Sequence, residues 1–147
     1  FYEQGYSAGL RPVVKVPLTE EAIRNIGAIK DLGGAILLTG AYDAKQMLIA
    51  TVLGVDYIAP YFGRMLDNGI SALEVLSHMQ AIQNRVMETA PHILVASLRT
   101  TEQLVRLAAQ GHDHFTIAPQ VALDLLNDKN TLMAVEEFEE AATKLVK

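Results

Sequence analysis

Arg11-Pro12-Val13-Val14-Lys15-Val16-Pro17-Leu18-Thr19 places one lysine inside a β-branched apolar run, with a proline on either side and a threonine suited to start a helix. Such an uninterrupted run reads as a short, buried strand of the parallel kind, because a parallel sheet is covered on both faces. An unpaired ammonium there is costly, and burial favours the neutral amine. A neutral amine at a strand end is the nucleophile that Schiff-base formation with a carbonyl requires. The bland alternative is a lysine whose head snorkels past the strand end to water.

The flanking sequence repeats the pattern. Residues 1–10 have no clear period and read as a connector or a partial helix. Thr19 caps a helix over about 20–32, with Ile23, Ile26 and Ile29 on one face and Gly33-Gly34 at its end. A second apolar strand (about 35–39) leads to a helix over about 42–53, and a third strand (57–60) to a loop over about 61–69. A long helix over about 70–89 precedes a fourth strand near 92–96. Thr100 and Gln103 have capping-box spacing for a helix over 101–110. A fifth strand near 115–118 precedes a short helix opened by Pro119. The last helix, about 131–146, carries Val135, Phe138, Ala142 and Leu145 on one stripe.

Alternating short apolar strands and helices demand an α/β fold with a parallel sheet, in one domain over residues 1–147. Two architectures fit. Length favours a five-stranded doubly wound sheet, since a barrel usually takes roughly 200 residues or more. The polar residues favour part of a (β/α)8 barrel. Lys15, Thr39, Tyr61 with Arg64, and Ser97 with Arg99 all fall at or just past strand C-terminal ends, which converge on one face in a barrel.

Composition narrows the function. Half the residues are hydrophobic, and 12 Lys+Arg against 17 Asp+Glu give a net charge of −5 with no basic arm, which argues against nucleic acid. No apolar stretch has the roughly 18 residues of a membrane helix. The chain has no cysteine, hence no thiolate metal site, and this agrees with a cytoplasmic home. The histidines His78, His92, His112 and His114 have no zinc-site spacing, and His112-Asp113-His114 reads as a solvated turn. Asp56 and Asp67 do not form a carboxylate pair, and the glycines form no dinucleotide or phosphate-loop motif.

The candidate site residues suggest Schiff-base and phosphate-binding chemistry. Tyr61 is suited to move a proton through a water, or simply to cover the core. Arg64, Ser97 and Arg99, beside the helix start at Thr100, have the donors to hold a phosphate, or the two arginines are simply solvated at the surface. Thr39 is placed to bond the lysine or a substrate hydroxyl, although a threonine is also ordinary in a strand.

Val14-Lys15-Val16-Pro17-Leu18-Thr19, Thr39 with Tyr42, Tyr57-Ile58-Ala59-Pro60-Tyr61-Phe62-Gly63-Arg64 and Ala96-Ser97-Leu98-Arg99-Thr100 together resemble the small transaldolase family, which includes the fructose-6-phosphate aldolases. The resemblance runs from about Arg11 to Val146. It implies the C-terminal five strands of a TIM (β/α)8 barrel, with Lys15 as the Schiff-base lysine on the fourth barrel strand. It also implies Tyr61 as proton carrier, Arg64 and Ser97 as the phosphate pocket with Arg99 close by, and Thr39 beside the lysine. Tyrosine at position 61 matches the aldolases, where transaldolases proper have phenylalanine. The expected activity is class I aldol cleavage and synthesis of ketose phosphates. A transaldolase, and a non-catalytic sugar-phosphate-binding partial barrel, are the alternatives. No metal or other cofactor is called for, since the iminium serves as the electron sink. Family members form ring-like oligomers, so a homo-oligomer is expected. Three strands precede the lysine strand in that family and bring an aspartate, an asparagine, and a water-ordering glutamine or glutamate. Residues 1–10 do not supply them. A fragment, a partner that contributes the strands, or closure by self-association is therefore expected.

Overall fold

The computed structural model describes residues 1–86 and 88–145. The proline-bounded run forms β1 (Val13–Pro17), followed by β2 (Ala35–Ala41), β3 (Tyr57–Pro60), β4 (His92–Leu98) and β5 (His114–Ile117). All pair in parallel, each with the next in sequence. That order decides between the two architectures. A doubly wound sheet reverses its strand order part-way, and this one never does. The result is an α/β sheet that winds in one direction, as a section of a TIM barrel does, and it is not closed.

The sheet has two unlike faces. Val16, Ile36, Leu38, Ile58, Ile93 and Val95 point into the main core, against Met47, Met65, Leu76, Met79 and Leu107 from the helices. On the opposite face Leu37, Ala59 and Ala96 are buried, with Tyr57, Tyr61 and Leu94 packed around them. Lys15 pairs in register with Leu37, and the residues on either side of it in the strand (Val14, Val16) pack into the main core, so its side chain belongs to the second face.

Here one expectation fails: Lys15 is exposed, not buried. Strand β1 is an edge, and among the described residues no further strand covers its side of the second face. Val13, Lys15 and Pro17 are all open to solvent, whereas Val16 on the core side is 5% exposed.

The helices are α1 (Tyr2–Ser7), α2 (Glu20–Ile23), α3 (Ile26–Lys30), α4 (Lys45–Leu53), α5 (Phe62–Asp67), α6 (Ala72–Val86), α7 (Thr101–Ala109), α8 (Pro119–Asp124) and α9 (Lys129–Leu145). The helix expected over 20–32 is in fact two. Asn25 turns its side-chain amide back to the Glu21 carbonyl at 2.9 Å, and its backbone N–H bonds Ala22 rather than continuing the α pattern. An asparagine competes with a helix ladder in this way. The loop expected over 61–69 contains α5. The long helix begins at Ala72, and Met87 near its expected end lies outside the described residues. Both threonine caps form as expected: Thr19 Oγ1 accepts from Ala22 N–H, and Thr100 Oγ1 from Gln103 N–H.

Helix α1 is tied down by two phenols. Tyr2 donates to the Ala35 carbonyl at 2.8 Å and Tyr6 to the Gly33 carbonyl at 3.1 Å. The Tyr2 ring lies where a side chain on residue 34 would be, so only glycine fits there. Along α9 every described side chain except Ala134 is exposed, Val135 and Phe138 among them. Val146 and the side chain of Leu145 lie outside the described residues.

Candidate active site

Strand β3 ends in Pro60, and Tyr61 leaves it still attached to the sheet, its N–H donating to the Ala41 carbonyl at 3.0 Å. The Tyr61 hydroxyl lies 2.8 Å from Thr39 Oγ1, and either oxygen can donate. Tyr42 packs edge-on against the Tyr61 ring, with centroids 5.9 Å apart. The Arg64 guanidinium stacks 4.8 Å above the same ring, a favourable cation–π placement. Sequence places Thr39 at one strand exit and Tyr61 with Arg64 at the next, and the fold joins them into one cluster.

Helix α5 links this cluster to the end of β4. A Cβ on Gly63 would overlap the Ser97 carbonyl oxygen and lie 3.2 Å from both Ser97 Oγ and Arg99 Nε. Glycine is needed because helix and strand touch there. Ser97 has a left-handed backbone, φ +63°, which is uncommon for any residue but glycine. It turns the chain from β4 toward Arg99.

Arg99 faces back across the contact and forms a bidentate ion pair with Asp67, Nη1 to Oδ1 at 2.7 Å and Nη2 to Oδ2. The Arg99 hydrogen bond holds the Asp67 carboxyl below the usual range, helped by the charges of Arg99 and Arg64. Asp67 in turn pushes the Arg99 guanidinium up. The N-terminus of α7 is occupied by its own side chains. Arg99 N–H donates to Gln103 Oε1 at 2.9 Å and Gln103 N–H to Thr100. The Glu102 carboxyl is held low chiefly by its own backbone N–H, then by the Thr100 and Thr101 hydroxyls. The helix start therefore offers an incoming anion less than the capping pattern implied.

Lys15 shares the face but not the cluster. It lies two residues before Pro17, the register partner of Thr39, on the outermost strand. Cavities elsewhere in the chain are larger in promise than in chemistry. One of about 380 Å3 lies beneath α1, lined by Tyr2, Val14, Ile29 and Leu32, far in sequence from the cluster. His112, expected in a solvated turn, is in fact 6% exposed. It borders a space of about 220 Å3 with Ser77, Gln80 and Gln110. Among the described residues no group of three or more His, Asp or Glu is arranged to hold a metal, and no helix is long and apolar enough to cross a membrane.

A family model described as Transaldolase/Fructose-6-phosphate aldolase matches residues 7–147. The chain belongs to this family. The transaldolase-family chain is 34% identical over 126 residues to a probable transaldolase of Erythrobacter litoralis, which covers 85% of this chain and 57% of that protein. A probable transaldolase of Phenylobacterium zucineum is 33% identical over 133 residues, 89% of this chain and 61% of the relative. The chain thus spans about three-fifths of the length of these relatives. Among solved structures, a flavocytochrome b2 with sulfite bound superposes with a TM-score of 0.52 at 19% identity, over 68% of this chain and 26% of that one. At that identity the likeness concerns the fold alone. The family expected from the residue blocks is confirmed, as is the parallel α/β sheet of TIM-barrel type.

Asp67 is the neighbour of the candidate cluster that no sequence expectation named. It was weighed against Asp56, where no relation exists. The usable signal was local: Gly63, Arg64 and Asp67 are spaced to share one side of a helix. Reading 61–69 as a loop hid that spacing.

Proposed function

We propose that the chain carries the lysine and phosphate pocket of a class I aldolase acting on ketose phosphates of the fructose 6-phosphate type. The observation that carries this reading is the cluster at one end of the sheet, where the Tyr61 hydroxyl meets Thr39 at 2.8 Å under the Arg64 guanidinium. The Lys15 amine adds to the ketone and loses water to form an iminium. The C3–C4 bond then breaks as its electron pair moves into the enamine, and the same steps in reverse form the bond. Tyr61, through a water, takes the proton from the C4 hydroxyl in cleavage and returns it in synthesis. Thr39 orients that phenol. Arg64 and Ser97 hold the terminal phosphate and so place the reacting carbon near the amine.

Transaldolase activity, in which the enamine waits for a second sugar phosphate, is the alternative, favoured by the names of the relatives. Tyr61 in place of phenylalanine favours the aldolase. The exposure of Lys15 and the open second face support a requirement for more protein than this chain contains, either preceding strands or a partner. The exposed stripe of α9, with Val135 and Phe138, supports self-association into a homo-oligomer. A cytoplasmic location accompanies the reading and is open to test by fractionation.

The experiment is intact-mass analysis after incubation with fructose 6-phosphate and sodium borohydride. A reduced three- or six-carbon adduct, lost in Lys15→Ala, is the expected result. Adduct turnover that requires an acceptor sugar phosphate distinguishes transaldolase from aldolase. No adduct in folded protein that still binds the phosphate points to the non-catalytic binding module instead.

A further inference from the structure

We propose that the Asp67–Arg99 ion pair is a strut that positions Arg64 and Ser97 around the substrate phosphate, so that Asp67 strengthens anion binding although it is itself an anion; this rests on the phosphate-site reading above. Both outer nitrogens of Arg99 are taken by the two oxygens of Asp67. The fork that would grip a phosphate in bidentate fashion is therefore closed. Nε lies against Gly63, and the backbone N–H is held by Gln103. Arg99 is thus fixed on three sides. Arg64 differs: it rests on the Tyr61 ring and makes no ion pair among the described residues. It is the guanidinium left to meet an anion.

Helix α5 has six residues, too few to hold its own conformation without packing. Its attachment to β4 at the site consists of the Gly63–Ser97 contact and, one turn later, the Asp67–Arg99 pair. Phe62 and Met65 seat α5 in the main core, and the two contacts set how its outer side is rolled against the end of β4. That roll sets where Arg64 leaves the helix, and the same contact holds the left-handed turn that presents the Ser97 hydroxyl.

Charge and geometry give opposite signs. If only charge mattered, removing the Asp67 carboxylate would tighten phosphate binding. If the pair is a strut, removing it loosens binding. The test is calorimetric titration with glycerol 3-phosphate, and with glycerol as the unphosphorylated control, of the parent chain, Asp67→Asn, Arg99→Gln, the double variant and Arg64→Gln. Exposed ion pairs add little to stability, so the variants are expected to fold, as thermal melts by circular dichroism would check. Asp67→Asn and Arg99→Gln are each expected to raise the Kd for glycerol 3-phosphate roughly five- to tenfold, with the double variant no worse than either single one. Tighter binding by Asp67→Asn, an effect of Arg99→Gln alone, or losses that multiply in the double variant would make Arg99 a direct ligand and overturn the strut. A parent chain that binds no glycerol 3-phosphate, or an Arg64→Gln variant that binds normally, instead sinks the phosphate site itself and the strut with it.

Discussion

Ser97 has a backbone conformation, φ +63°, that a side chain at this position makes costly, beside the one helix glycine that lets α5 approach. Such outliers persist when the surrounding structure over-determines them. Ser97→Gly is therefore expected to raise stability in urea unfolding by up to about 1 kcal/mol, while the loss of the hydroxyl weakens glycerol 3-phosphate binding. A variant less stable than the parent would show that the hydroxyl, not the backbone, governs this turn. His112 makes a second prediction. Burial holds its imidazole below the ordinary histidine value of 6.5, against a weaker upward pull from the Asp113 charge. Below that pH the unfolded chain binds more protons than the folded one, so stability falls as pH drops through it. Comparing thermal melts at roughly pH 7.5 and 5.5, the parent should lose stability more steeply than His112→Gln. Equal slopes would refute the assignment. Neither residue announced itself: a serine's φ and a histidine's burial depend on what packs around them.

At the level of elements, sequence was most legible where the determining contacts are local. The caps at Thr19 and Thr100, the proline start of α8 and the apolar β strands rest on interactions within a few residues. Helix α5 was not legible because its six residues carry little helical signal of their own and are held by Met65 and Phe62 in the core and Gly63 against Ser97. The break between α2 and α3 depended on one asparagine side chain turning inward to the backbone. Gly33-Gly34 read as a helix stop, and it has a second task, since Tyr2 of α1 lies on Gly34. Gly34→Ala should drive the Tyr2 ring from its site and cost about 1–3 kcal/mol, read by urea unfolding. An alanine variant as stable as the parent would mean that α1 is a passive appendage.

For the whole molecule, the parallel order of the strands was legible and the environment of Lys15 was not. Burial on the second face depends on strands remote from β1, and a local apolar run says nothing about whether they are present. The exposed stripe of α9 belongs to the same scale. If self-association covers it, Phe138→Asp should reduce the mass measured by light scattering after gel filtration toward that of one chain. A parent chain that already runs as a monomer would rule out the homo-oligomer. The strand order has a consequence for how the chain acquires its structure. Each strand pairs only with its neighbours in sequence, so no pairing waits for a distant segment and the closure entropy of each step stays modest. A nascent chain leaving the ribosome adds units in the order in which they stand in the sheet. Each new β/α unit docks onto an edge already made, and within this sheet assembly runs in the direction of synthesis.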